Sequence, residues 1–153
     1  MRNLLSTIAV VAALATPAFA NKEEIPPAQY FVEMWNKDPE DKKRRMVFSE
    51  EILVVQPGDL IQFVATDKGH NVQFIDGPDG VKLPGKSKLS KDVEIVLTAP
   101  GVYVYVCTPH ASMGMIGIVV VGDITQEAID AVRDAKLKGK SKKKFEGLLN
   151  ELP

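Results

Sequence analysis

Cysteine and histidine are scarce in this sequence, which has one Cys and two His among 153 residues. A single Cys excludes an internal disulfide, and two His exclude a His-rich metal store. Neither sign of charge is in excess. Nineteen Lys and Arg against twenty Asp and Glu leave a formal net charge of −1, which argues against nucleic acid as a partner, because that binding needs cations to neutralise phosphates. Internal repeats and low-complexity tracts are absent. No apolar run is long enough to anchor the chain in a membrane. What is there, 45% hydrophobic and 25% charged, suits one compact soluble domain expected to be a monomer.

The first twenty residues read as a cleaved secretory signal. Arg2 supplies the basic start, Leu4 to Leu14 the short apolar stretch, and Ala18-Phe19-Ala20 the small-residue cleavage pattern. The implied location is the periplasm, where a free thiol risks oxidation and needs a reason to exist. Asn21 to Gln29, with Pro26-Pro27, reads as a flexible arm. Residues 30–153 read as a single domain.

From Tyr30 onward, short β-type runs alternate with turn signals. The runs are Tyr30–Trp35, Met46–Phe48, Ile52–Val55, Leu60–Ala65, Asn71–Ile75, Val93–Leu97, Val102–Cys107 and Gly117–Val121. About eight short strands at this spacing predict an all-β sandwich. The loops between them include the charged stretch Asn36 to Arg45 and the segment Thr108 to Met115. After Asp123 the period changes. Ile129 and Val132 lie at helical spacing behind the candidate cap Thr125, and Phe145, Leu148 and Leu149 mark a second amphipathic helix. The sandwich is therefore followed by two C-terminal helices from about residue 125. Lys136, Lys138, Lys140, Lys142, Lys143 and Lys144 read as a solvated helix face.

The chemistry concentrates in Cys107-Thr108-Pro109-His110, where a strand runs into a loop. Met115 follows Cys107 by eight residues, and His70 precedes it by 37 at the start of another strand. The only thiol, both imidazoles and one thioether can thus converge, and two imidazoles, a thiolate and a weak axial Met are a type 1 copper set. Thiolate suits Cu(I), and imidazole tolerates both oxidation states. Pro109 stiffens the loop, and Asn71 can hydrogen-bond across the site to tie the two ligand loops together. Met113 reads by itself as a gap-filling core residue. Three other readings stand beside copper electron transfer: a Cys107–His110 nucleophilic dyad, a Cys-His₂ zinc site, and a copper carrier or scavenger.

These residues resemble the cupredoxin family, most closely its pseudoazurin branch. The resemblance runs from about Tyr30 to Leu149 and rests on three motifs. They are Thr66-Asp67-Lys68-Gly69-His70-Asn71-Val72, Thr98-Ala99-Pro100-Gly101-Val102-Tyr103, and Cys107-Thr108-Pro109-His110 followed by Met113-Gly114-Met115 and Gly117. It implies a Greek-key sandwich, one copper held by His70, Cys107, His110 and Met115, and no enzymatic activity. It implies electron shuttling in the periplasm, from a cytochrome-type donor to copper nitrite reductase or another reductase. His110 would be the electron port, and Met113 would pack beside the site without binding copper. Lys37, Lys68 and Lys86, with Lys88 added, would form a basic ring that steers an acidic partner. Three positions depart from the pattern: Val106 replaces a Lys common in relatives, Ala111 an aromatic, and Glu33 a His. Val106 points away from the Cys107 face of its strand, so it either enlarges an outward docking patch or is covered by other chain.

Overall fold

A computed structural model describes residues 26–152. The secretory signal and the first part of the arm lie outside the described residues. Eight strands form in chain order: β1 (Gln29–Lys37), β2 (Arg45–Phe48), β3 (Ile52–Val55), β4 (Leu60–Val64), β5 (Gln73–Asp76), β6 (Val93–Val96), β7 (Gly101–Val106) and β8 (Ile116–Val121). Helices α1 (Gln126–Ala131) and α2 (Lys140–Glu151) follow.

The strands make two four-stranded sheets, ordered β2-β1-β4-β6 and β3-β8-β7-β5. Alternation fills the space between them. Val32 and Met34 of β1, Ile61 and Phe63 of β4, and Tyr103 and Tyr105 of β7 are all buried in one core. Tyr105 is its hub, with ring centroids 4.8 Å from Phe48, 5.1 Å from Phe63 and 5.6 Å from Phe74. Its hydroxyl donates to Glu50 O at 2.9 Å, so no buried polar atom is stranded.

The second sheet is covered on its other face as well. Val102, Val104, Val106, Ile116, Ile118 and Val120 pack under Ile129 and Val132 from the α1 region and Phe145, Leu148 and Leu149 of α2. Strands β7 and β8 are therefore buried on both faces along their whole length, as their unbroken apolar sequences require. Val106, only 5% exposed, is unavailable as a docking residue: the helices cover it.

The arm and the first helix differ from the sequence reading. Gln29 already pairs with Leu60, and the Ala28 amide donates to Asp59 Oδ1 at 2.8 Å, so the arm ends before Ala28. Helix α1 ends at Ala131, before the Val132 that helical spacing placed within it. Thr125 caps it by accepting from the Ala128 amide, and the chain leaves the helix at Val132 (φ −104°, ψ 0°), after Ile129 is buried.

Candidate metal centre

Cys107 directly follows β7, at the end of its inward face, and is fully buried. The next residues, Thr108–Met113, wind into a short 3₁₀ helix with Pro109 in its first turn. That segment was expected to be irregular loop; Pro109 presets the backbone angle that starts the helix. Gly114 ends it at φ 101°, and three backbone bonds close the excursion: His110 N to Cys107 O, Met115 N to His110 O, and Cys107 N to Met115 O. The loop is thus tied to itself before any metal is considered.

His70 enters from the loop before β5 and is also fully buried. Its Nδ1 lies 3.5 Å from Cys107 Sγ and 3.2 Å from His110 Nδ1, and His110 Nδ1 lies 3.3 Å from the sulfur. A point central to that triangle lies about 2 Å from each atom, the length of a metal–imidazole bond. His70 Nε2 sits 3.0 Å from Asn36 Oδ1. An amide oxygen only accepts, so Nε2 carries the proton and Nδ1 presents its lone pair to the triangle. Electron pairs converging this closely fit a cation at the centre. Met115 is fully buried in the same core cluster as Cys107. His70, Cys107, His110 and Met115 are arranged as a type 1 copper site.

Electrostatics prepare the site for a metal and against protons. Burial pulls the His70 imidazole below its ordinary 6.5, and His110 beside it adds to the shift. Burial lowers His110 as well. The Cys107 thiol is pushed up by burial, opposed by the backbone N–H groups of Asn71 and His110. Without metal, all three groups favour their neutral forms.

Asn71 is 2% exposed and bridges the two ligand loops. Its Oδ1 accepts from Thr108 N at 2.8 Å, and its Nδ2 donates to Thr108 Oγ1 at 3.1 Å. Asn36 is the residue that sequence reasoning missed. It was placed in a charged loop, whereas β1 continues to Lys37, and parallel pairing with β4 carries its end beside the His70 loop. No local signal in the sequence marks that role.

Met113 is 50% exposed and lines a surface groove. It is therefore not a gap-filling core residue: as the last 3₁₀ residue before Gly114 turns, it faces outward. Lys37, Lys68, Lys86 and Lys88 are exposed and form no ion pair among the described residues. Glu33 accepts from Thr66 Oγ1 at 2.8 Å, and Ala111 packs against the cluster under α2.

Two packed sheets carrying one His₂CysMet set, with His70, Cys107 and Met115 fully buried and His110 partly so, define a single-copper cupredoxin. The sequence model for copper binding proteins of the plastocyanin/azurin family matches residues 36–122. The pseudoazurin of Paracoccus pantotrophus is 38% identical over 152 residues, covering 98% of this chain and 97% of that one. The pseudoazurin of Methylorubrum extorquens is 36% identical over 143 residues, covering 91% and 90%. The solved pseudoazurin from Hyphomicrobium denitrificans superposes with a TM-score of 0.73 at 36% identity, covering 82% of this chain and 99% of that one.

The chain belongs to the plastocyanin/azurin family of copper proteins, and within it to the pseudoazurins. It is an electron-transfer protein and not an enzyme.

Proposed function

We propose that this chain is a periplasmic shuttle that takes one electron from a cytochrome-type donor and passes it to a respiratory reductase such as copper nitrite reductase. The observation that carries this reading is asymmetric burial. His70, Cys107 and Met115 are fully buried, while His110 alone of the four is only partly buried. Bound copper supplies a reversible one-electron couple. The protein contributes donors already in place, held by Asn36, Asn71 and the backbone bonds of the 107–115 loop. Little has to move between oxidation states, which suits exchange of electrons more than exchange of metal. A copper carrier needs an open coordination position, and the burial of three donors speaks against one.

His110 is the electron port, with Lys37, Lys68, Lys86 and Lys88 steering an acidic partner towards it. Residues 1–20 are removed on export, so the mature chain begins at Asn21.

Copper(II) added to the purified apo protein should give an intense visible Cys-to-copper charge-transfer band that ascorbate bleaches, and Cys107→Ser should abolish it. A colourless copper adduct of the unmodified chain sinks the reading. Stopped-flow mixing with candidate reductases then identifies the acceptor. Alkylation of Cys107 in the copper-loaded protein would instead favour a thiol enzyme.

A further inference from the structure

A second set of basic residues, separate from Lys37, Lys68, Lys86 and Lys88, gathers beside the ligand loop. A groove of about 550 Å³ runs between the segment 43–45 and the start of α2. Five cationic side chains line it: Lys43, Arg44, Arg45, Lys140 and Lys144. No carboxylate is among its lining residues. Arg44 and Lys144 are tethered from behind, both to Glu51 and Arg44 also to Asp38 at 2.6 Å. One of these anchors, Asp38, is itself held low by the amides of Glu40 and Asp41 and by Arg44. Lys43, Arg45 and Lys140 form no ion pair among the described residues.

Three further features bear on what the groove takes. Ser112, Met113 and Gly114 form one wall. Ser112 and Met113 belong to the 3₁₀ helix that carries His110, so the wall begins about 4 Å along the helix axis from the port at the 3₁₀ rise. Helix α2 starts at the groove with no acidic residue in its first turn and no side-chain cap, so its dipole adds positive potential there. The groove is also too large for a single small oxyanion. Its cations are spread over two elements of the fold, which matches several carboxylates along an extended segment.

We propose that this groove is a docking cleft for a carboxylate-rich segment of the acidic redox partner, seated beside His110 by Lys43, Arg45, Lys140 and the tethered pair Arg44 and Lys144. The inference rests on the electron-shuttle reading. It assigns a role to the basic run Lys43-Arg44-Arg45 and to part of the lysine-rich start of α2, whose residue types alone read as loop and solvated helix face.

A fluorescently labelled oligoglutamate peptide is the probe. Its anisotropy with the full-length mature protein should show saturable binding at low salt. The double substitution Lys43→Glu with Arg45→Glu should weaken that binding about tenfold, the effect of reversing two charges in a partly enclosed site. Lys68→Glu with Lys86→Glu should change it less than about threefold, because an exposed reversal acting from outside the cleft is screened. In the reduced, copper-loaded protein, NMR shifts on peptide addition should centre on Ser112, Gly114 and Lys140. Absence of binding, equal losses in the two double variants, or shifts confined to Lys68 and Lys86 would overturn the proposal. So would stronger binding to phosphatidylglycerol vesicles than to the peptide, which assigns the groove to a membrane surface. The anisotropy arm does not depend on copper. Loss of the charge-transfer band in the unmodified protein therefore condemns the shuttle reading, and loss of peptide binding with the band intact condemns only the cleft.

Discussion

Asn36 shows how much of a metal site is set by a residue that never touches the metal. By accepting from His70 Nε2 it selects the tautomer that leaves Nδ1 free. Asn36→Ala should weaken copper binding about tenfold or more, the usual effect of losing such a partner, measured by competition with a chelator. The charge-transfer band should persist, since Cys107 is unaffected. The two imidazoles also make a pH prediction. Both are held below 6.5 in the folded apo protein, while the unfolded chain protonates them at their ordinary value. As pH falls below about 6.5 the unfolded state takes up more protons than the folded one, and apo stability declines. The thermal midpoint of the apo protein should therefore drop through that window, and that of the copper(II) form should drop at least as steeply, because metal-bound Nδ1 atoms take up no protons in the folded state while the unfolded chain still does. The four ligands were legible in the sequence because they are the whole stock of thiol and imidazole plus a Met at loop spacing. Asn36 was not, because its role depends on pairing between strands far apart in the chain.

At the scale of elements, the pair β7–β8 is the structural centre. Gly117 faces Tyr105 across this pair, and a Cβ there would meet the Tyr105 ring and hydroxyl at 2.4 Å. Gly117→Ala should destabilise the protein by about 1–3 kcal/mol, the cost of overpacking a filled core, read from a denaturant midpoint. Tyr105 is locked by three aromatic neighbours and its bond to Glu50, so it cannot swing away cheaply. Strand positions were read well because period-two alternation and the Pro-Gly turns mark them. The fate of Val106 was not, since a strand face can be covered by helices or by a partner, and only the placement of α1 and α2 decides. The exposure of Met113 was not legible for a related reason: a thioether gives no directional signal, and the Gly114 turn sets where it points.

The whole molecule carries a formal charge of −1, yet the groove beside the 3₁₀ helix is lined by five cations and no carboxylate. Lys37, Lys68, Lys86 and Lys88 are exposed, and the groove supplies further positive charge. Electron transfer to an acidic partner should slow as ionic strength rises, because exposed charges are screened beyond about a Debye length. Lys68→Glu should reduce the bimolecular rate by about two- to fivefold at low salt, with little effect on oxidation by a cationic cobalt complex. Salt-independent rates would argue against electrostatic steering. The earlier alternative, docking through Val106, is closed by its burial.

The double-sided burial of β7 also orders how the ligands let go. Cys107 hangs from the best-shielded strand pair in the molecule, whereas His110 rides on six residues of 3₁₀ helix that bury none of their own side chains. Local opening follows the less buried segment. If copper is bound, the His110 side of the site would open by fraying of that short helix, while Cys107 would be released only when the sheet itself comes apart. Copper loss from the loaded protein should thus keep pace with unfolding of the sandwich, so that the lifetime of the loaded form reports on its core.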